Sequence, residues 1–255
     1  MRYNFFIYKK FGVIHMIRIE DISKTYNSNI KAVDHLNLTV NDGEIVGFIG
    51  PNGAGKTTTI KMLTGILKPD AGSIFINDFD MQKEPLKAKM EIGYIADSPD
   101  MFLRLKGIEF LNLIADIYKV PTGLRKERIK IFATRFELAE VLDQQMQSYS
   151  HGMRQKMMVA AALVHDPAVW ILDEPLTGLD PKSAYNLKKM MREHADAGNS
   201  VLFSTHVLEV AEKLCDKVIM IHHGKTIFYG TLEELTEKHP DMDLEQIFLE
   251  MTAHE

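Results

Sequence analysis

The stretch that decides the fold reads Gly50-Pro51-Asn52-Gly53-Ala54-Gly55-Lys56-Thr57-Thr58. It matches G-x-x-x-x-G-K-[ST], the pattern of a phosphate-binding loop. An apolar run, Ile45 to Ile49, leads into the loop, and residues 57–67 are suited to a helix. Strand, glycine-rich loop and helix in this order are the context in which the pattern binds phosphate.

Each part of the loop has a physical role. Gly53 and Gly55 permit a tight turn whose backbone N–H groups point inward, and the following helix directs its positive end to the same point. Lys56 adds a positive charge for the β- and γ-phosphates, and the Thr57 hydroxyl is suited to ligate Mg²⁺. The loop therefore predicts a site for a nucleoside triphosphate with magnesium.

The composition is that of a soluble globular protein. The chain has 255 residues, of which 45% are apolar and 25% charged, so it has room for one large α/β domain or two small ones. Its formal net charge of −5 gives no sign of a basic surface that would bind nucleic acid. We therefore do not expect nucleic acid as a partner. The single cysteine, Cys215, excludes an internal disulfide and a multi-cysteine metal cluster, which fits a reducing cytoplasm.

Residues 1–15 are aromatic and basic, but they lack the apolar region and cleavage site of a signal peptide. Two interpretations are open: an N-terminal extension upstream of a true start at Met16, or a short anchor whose aromatic rings meet a membrane surface. We favour the extension, because so short a segment anchors weakly. No apolar run in the chain approaches the roughly 20 residues of a membrane-spanning helix.

The apolar pattern divides the chain into an α/β core and a helical insertion. Residues 17–40 alternate as short strands, which predicts antiparallel neighbours for the strand before the loop. Residues from about 98 to 165 have helical spacing, and strands and helices alternate again after Pro167. Residues from about 231 to 255 form a helical, acidic tail. We therefore expect one α/β domain over residues 16–255, with an antiparallel β subdomain and an inserted α-helical subdomain.

A second apolar run, Val169 to Leu172, ends in two carboxylates, Asp173 and Glu174. A strand that emerges beside the phosphate-binding loop would place Asp173 near Mg²⁺. Glu174, one residue further, would polarise a water molecule against the γ-phosphate. The pattern is common by itself, and the loop earlier in the chain makes it a strong candidate.

The segment Tyr149-Ser150-His151-Gly152-Met153 opens an apolar helix. Ser150 is suited to cap this helix. Alternatively, the helix start is a second phosphate-binding point, since Ser and Gly at a helix N-terminus suit an anion. The residues alone leave both interpretations open.

Together, these motifs resemble the nucleotide-binding subunits of ABC transporters, in that family's order and over almost the whole chain from about Met16. The family's signature, usually Leu-Ser-Gly-Gly-Gln, corresponds to residues 149–153. Residues 176–180 resemble the D-loop, and Ser204-Thr205-His206 resembles the segment that carries the switch histidine. Tyr26 lies where the family has an aromatic residue that stacks on adenine.

The resemblance implies a P-loop NTPase core that binds ATP and Mg²⁺ and hydrolyses ATP. A second copy, or a homologous ATPase subunit, would pack head to tail, so that the loop of one chain faces the signature of the other. The expected catalytic residues are Glu174, His206 and Lys56, and the expected Mg²⁺ ligands are Thr57, Asp173 and Asp97. The residues expected to bind ATP are Tyr26, Gly50, Pro51, Asn52, Gly53, Ala54, Gly55, Lys56, Thr57, Thr58, Ser150, Gly152 and, across the dimer interface, Asp180.

Two segments depart from the family pattern. In the signature, His151 replaces the first Gly and Met153 replaces Gln, while Ser150 and Gly152 remain. In the family's Q-loop, Asp97 stands where Gln is usual, which puts a shorter, anionic group near Mg²⁺ and the membrane subunit. We expect Asp97 to reach a metal-bound water and the coupling of hydrolysis to differ.

The resemblance implies a subunit that powers a separate membrane permease from the cytoplasmic face of the cell membrane. The segments around residues 149–156 and after Leu244 are most similar to exporter-type subunits of drug, bacteriocin or Ecs-like systems. The alternative is a soluble ABC ATPase acting on ribosomes or DNA, although such chains usually carry two ATPase domains, a long coiled coil or zinc-binding cysteines. A third class, a non-hydrolysing regulatory module, is disfavoured by the intact Lys56, Glu174 and His206.

Overall fold

The computed structural model describes residues 15–26, 30–96, 102–240 and 242–253, so the expectations for residues 1–14 and for Asp97 lie outside the described residues. The strands are β1 (His15–Tyr26), β2 (Ile30–Asn41), β3 (Ile45–Ile49), β4 (Ala71–Ile76), β5 (Phe79–Asp80), β6 (Ile92–Ile95), β7 (Val169–Leu172), β8 (Ser200–Thr205), β9 (Lys217–His222) and β10 (Lys225–Thr231). The α-helices are α1 (Lys56–Leu63), α2 (Pro85–Met90), α3 (Gly107–Ile117), α4 (Thr122–Arg135), α5 (His151–Leu163), α6 (Pro181–Asp196), α7 (Leu208–Leu214), α8 (Leu232–Lys238) and α9 (Leu244–Ala253). Within the described segments, no helix has both the length and the apolarity that crossing a bilayer requires.

Two sheets form the framework of the fold. One has four antiparallel strands in the order β2-β1-β4-β5. The other has six strands in the order β10-β9-β3-β8-β7-β6, all parallel except β10. The expected α/β class with an antiparallel β subdomain is therefore confirmed. The carboxyl ends of β3, β7 and β8 meet at one edge, where open α/β sheets bind ligands.

The antiparallel neighbours expected for the strand before the loop are wrong. β3 lies between β9 and β8 and is parallel to both, whereas β1 and β2 pair with each other in the other sheet. The cause is burial: all five residues of β3 are buried, as in a parallel sheet covered on both faces. Alternation within residues 17–40 predicts strands but does not determine which strand pairs with which.

Helices α3, α4 and α5 pack on one face of the six-stranded sheet and share a hydrophobic core with it. On α3, Leu111 and Ala115 are buried, and Ile108 and Ile114 pack against the same core, as the helical spacing predicts. Trp170 of β7 is fully buried there. A second core joins the opposite face of this sheet to α1 and the four-stranded sheet. The phosphate-binding loop is thus held by packing on both faces of its strand.

Candidate nucleotide site

The phosphate-binding loop connects β3 directly to α1. Gly55 precedes the helix with a φ of 111°, and an added Cβ at this residue would collide with the carbonyl oxygen of Ala32. Both the left-handed conformation and the close approach require glycine. The predicted strand, loop and helix are therefore present in the order that phosphate binding needs.

The Lys56 ammonium is held against the loop itself. Its Nζ donates hydrogen bonds to the carbonyl oxygens of Gly50 at 2.6 Å and Pro51 at 3.2 Å. It also lies 3.5 Å from Glu174 Oε1, an ion pair without a hydrogen bond. The side chain is only 6% exposed. A buried ammonium on neutral carbonyl groups is poised to exchange them for anionic phosphate oxygens.

Strand β7 brings two carboxylates to the same edge. Asp173 is buried, its N–H donates to the Ile95 carbonyl at 2.9 Å, and its Oδ1 accepts a hydrogen bond from Ser204 Oγ at 2.6 Å. Glu174 follows with a φ of 48°, in the left-handed region that side chains rarely occupy. The two acids therefore leave the strand with fixed and different orientations.

Strand β8 adds His206 to this cluster. Its Nδ1 lies 3.0 Å from Glu174 Oε2, and about half of its side-chain surface is exposed. Within the described part of the chain, the other oxygen, Oε1, is buried and accepts no hydrogen bond. Glu174 thus joins Lys56 on one side to His206 on the other, which unites the three residues that were predicted to be catalytic.

An open cavity of about 210 Å³ lies beside the cluster. Its lining residues are Ala32, Pro51, Asn52, Gly53, Gly55, Lys56, Thr57, Thr58 and Glu174. Seven of these nine residues belong to the loop, and the charged residues among them are Lys56 and Glu174. This arrangement suits a polyphosphate, which needs many N–H donors and few side chains.

The oxygen atoms near the cavity also suit magnesium. Thr57 lines the cavity, and the buried Asp173 directly follows β7, which β8 separates from β3. Among the described residues, no group of three or more His, Cys, Asp and Glu side chains is arranged as a metal site. Mg²⁺ is usually bound through one or two carboxylates together with substrate phosphates, so a hydroxyl and a carboxylate fit it here.

Ser150 and Gly152 do not line the cavity of their own chain. Ser150 is the N-cap of α5, and its Oγ accepts a hydrogen bond from the Met153 N–H at 3.3 Å. The capping interpretation is therefore confirmed. Ser150 is nevertheless exposed, and a hydroxyl keeps further hydrogen-bonding capacity when it caps a helix.

The unusual His151 packs against the segment that resembles the D-loop. A Cβ placed on Gly178 would lie 3.0 Å from His151 Nε2 and 3.1 Å from its Cδ2. The imidazole therefore lies close against Gly178, whose φ of 74° favours glycine. Sequence reasoning treated these two positions separately and did not predict their contact.

Asp180 begins α6 as its N-cap. Its Oδ1 accepts the Ser183 N–H at 3.0 Å, and its Oδ2 accepts the Ser183 hydroxyl. These bonds, chiefly that from the hydroxyl, hold the pKa of the Asp180 carboxyl below its ordinary value. Asp180 does not line the cavity of its own chain.

The remaining predicted residues have different outcomes. Tyr26 ends β1 opposite Ile30 and is 40% exposed, but it does not line the cavity. Asp97 lies outside the described residues. The structure therefore leaves the adenine-stacking role of Tyr26 and the metal contact of Asp97 as predictions.

Two residues at the site were not predicted. Ser204 bonds both carboxylate-bearing residues of β7, and Ala32 presents its carbonyl oxygen to Gly55. A serine directly after the apolar run Val201 to Phe203 was a usable signal for Ser204, because buried polar groups need partners. The backbone contribution of Ala32 has no signal in its residue type.

Comparison with known proteins places this geometry in a family. A family model described as ABC transporter matches residues 33–177. The ABC transporter ATP-binding protein NatA of Bacillus subtilis (strain 168) is 36% identical over 238 residues, which cover 92% of this chain and 97% of the relative. The daunorubicin/doxorubicin resistance ATP-binding protein DrrA of Streptomyces peucetius is 36% identical over 219 residues, which cover 86% of this chain and 66% of DrrA.

The likeness extends to three dimensions. A solved structure of the ATP-binding subunit of an ABC transporter superposes with a TM-score of 0.89 at 31% identity, and the match covers 93% of this chain and 99% of that one. The sequence match spans the phosphate-binding loop, the helical insertion and the two carboxylates of β7. The chain therefore belongs to the ABC transporter family, as one of its ATP-binding, ATP-hydrolysing subunits.

Proposed function

We propose that this subunit binds Mg²⁺·ATP on residues 50–58 and hydrolyses it with Lys56, Glu174 and His206. The observation that carries the proposal is the position of Glu174, which lies 3.5 Å from Lys56 and 3.0 Å from His206 at the edge of the loop cavity. Phosphoryl transfer to water requires a base, a phosphate-binding cation and a histidine, and all three lie at this edge.

The chemistry would be mainly positioning and charge stabilisation. Lys56 would exchange its bonds to the loop carbonyls for bonds to the β- and γ-phosphates. Thr57 and Asp173 would hold Mg²⁺, which when bound neutralises charge on the phosphate oxygens. Glu174 would take the proton of the attacking water, and His206 would contact the γ-phosphate. Asp97 would reach a metal-bound water.

The same proposal assigns roles to four predicted residues outside the cavity, one within its own chain and three between chains. Tyr26 would stack on adenine within its own chain. Ser150 and Gly152 would contact the nucleotide of a second copy or of a homologous subunit, and Asp180 would lie across that interface. In support, these three residues lie outside the cavity of their own chain, and Ser150 is exposed.

We further infer that the dimer drives a membrane permease, from the cytoplasmic face of the membrane, and that the system is an exporter. The support is the kinship with transporter ATP-binding proteins, one of them named for drug resistance. The rival function, work on ribosomes or DNA, has no comparable support, and the net charge of −5 disfavours nucleic acid.

Glu174→Gln tests the role of the base. Because the amide keeps the shape of the side chain but cannot accept the proton, we expect turnover to fall by at least about 100-fold. ATP affinity, measured with a fluorescent analogue, should stay within about threefold, since Lys56 and the loop amides are unchanged. Exposed Glu237 on α8 offers the matched control Glu237→Gln, which should hydrolyse ATP like the parent. Parental turnover in Glu174→Gln would remove Glu174 as the base.

A further inference from the structure

Ser204 is fully buried on β8 and bridges the two acidic residues that directly follow β7. Its Oγ–H donates to Asp173 Oδ1 at 2.6 Å, and the same oxygen accepts the backbone N–H of Glu174 at 2.9 Å. One hydroxyl therefore uses both its donor and an acceptor position on consecutive residues of the site.

The bond to Asp173 fixes the rotation of a buried carboxylate. Asp173 is 1% exposed, so its charged oxygens need donors, and Ser204 supplies one to Oδ1. A hydrogen bond to an ionised group is about twice as strong as a neutral one. The orientation of this carboxylate therefore depends on Ser204.

The bond to Glu174 holds an unfavourable backbone conformation. The φ of 48° at Glu174 disfavours any residue that has a Cβ, and surrounding contacts must maintain it. The Ser204 hydroxyl holds the Glu174 N–H in place through this hydrogen bond. The backbone conformation of Glu174 in turn determines the direction in which its side chain leaves the strand. His206 follows the end of β8, two residues after Ser204, so the bridge lies close to the histidine in the chain.

We propose that Ser204 is a positioning residue that orients Asp173 toward Mg²⁺ and Glu174 toward the attacking water. This inference rests on the proposed function, because it assigns Ser204 a purpose through those two residues. Ser204 itself does not line the loop cavity. Removal of its hydroxyl lowers both kcat and the affinity for Mg²⁺. A hydroxyl with a merely structural role would affect folding alone.

A graded series at this position tests the proposal. Ser204→Ala removes the hydroxyl, and Ser204→Cys keeps the approximate size with a weaker donor. Ser200→Ala is the matched control, because Ser200 is equally buried at the other end of β8 and its Oγ has no partner within the described part of the chain. Three quantities are measured: kcat, the Mg²⁺ concentration that gives half-maximal rate, and the affinity for a fluorescent ATP analogue with Mg²⁺ and with EDTA.

For Ser204→Ala we expect kcat to fall about tenfold or more and the half-maximal Mg²⁺ concentration to rise about tenfold, as for a lost hydrogen bond to a charged group. The gain in analogue affinity on adding Mg²⁺ should shrink, while the affinity in EDTA stays within about twofold. Ser204→Cys should be intermediate, and Ser200→Ala should match the parent in all three quantities. A Ser204→Ala chain with parental kcat and parental magnesium dependence would overturn the proposal, whatever its melting temperature.

Asp173→Asn separates this inference from the proposed function. If Asp173→Asn loses the magnesium dependence of analogue binding and Ser204→Ala does not, the role of Ser204 is wrong and the metal site stands. If Asp173→Asn keeps the parental magnesium dependence, the metal site itself is wrong, and the role of Ser204 fails with it.

Discussion

At the scale of single residues, histidine shows how environment decides chemistry. His206 is half exposed and bonded to Glu174, whereas His165 and His194 lie in the helical core. His165 stacks on Tyr118, and its Nε2 bonds the Ile92 carbonyl at 3.0 Å. His194 packs edge-on against Trp170. Burial lowers the pKa of both core histidines to about 4, because it disfavours the charged imidazolium.

The two core histidines predict acid-sensitive folding. Their folded pKa values lie below the ordinary value of 6.5, so the unfolded chain binds more protons between pH 6.5 and 4. Their contribution to stability is therefore complete above pH 6.5 and is lost as the pH falls toward 4. A lowering of the pKa from 6.5 to about 4 corresponds to about 3 kcal/mol for each group.

Denaturant melts of the parent and of His194→Phe between pH 7.5 and 4.5 measure this effect. The Phe variant should show a shallower fall of the free energy of unfolding, because it has no group to protonate against Trp170. An unchanged slope in His194→Phe would show that His194 does not titrate as described.

At the scale of elements, the glycine-rich loop and its flanks were the most predictable part. The ends of helices were less predictable. The helix predicted over residues 57–67 ends at Leu63, because Gly65 takes a φ of 65° and Ile66 bonds back to the Lys61 carbonyl. The six-residue helix α2 was not predicted, since so short a segment has little helical periodicity. Periodicity identifies long elements, and local backbone geometry decides where they end.

Ser150, the N-cap of α5, allows a structural role and a functional role to be tested separately. Ser150→Ala removes the cap and should lower the free energy of unfolding by about 1 kcal/mol. Ser150→Asp keeps a good cap, so its stability should match that of the parent, but it places a carboxylate where the proposed contact with the nucleotide of a second copy needs a neutral donor.

We therefore expect Ser150→Asp to fold like the parent and to lose at least about tenfold in ATPase rate. Urea melts and a steady-state ATPase assay give the two quantities. Parental activity in Ser150→Asp would leave Ser150 as a helix cap and nothing more.

At the scale of the whole molecule, the motifs predicted more of the site than of the sheet. Lys56, Glu174 and His206 were named from their sequence context and meet in the structure. The contacts made by Ser204 and between His151 and Gly178 were not named, since each depends on which strands and loops become neighbours. For the same reason the antiparallel neighbours expected for β3 were wrong. A single sequence specifies the chemistry of its groups better than their long-range pairing.

The central claim is that the loop of one chain forms a complete nucleotide site only with a second chain. Sedimentation of the Glu174→Gln chain with saturating Mg²⁺·ATP tests it most directly, because this variant should bind ATP without consuming it. We predict twice the mass of the chain with Mg²⁺·ATP, the mass of a single chain without nucleotide, and no dimer when Ser150→Asp is added to the same variant. A chain that binds ATP yet sediments as a monomer at every protein concentration would contradict the claim.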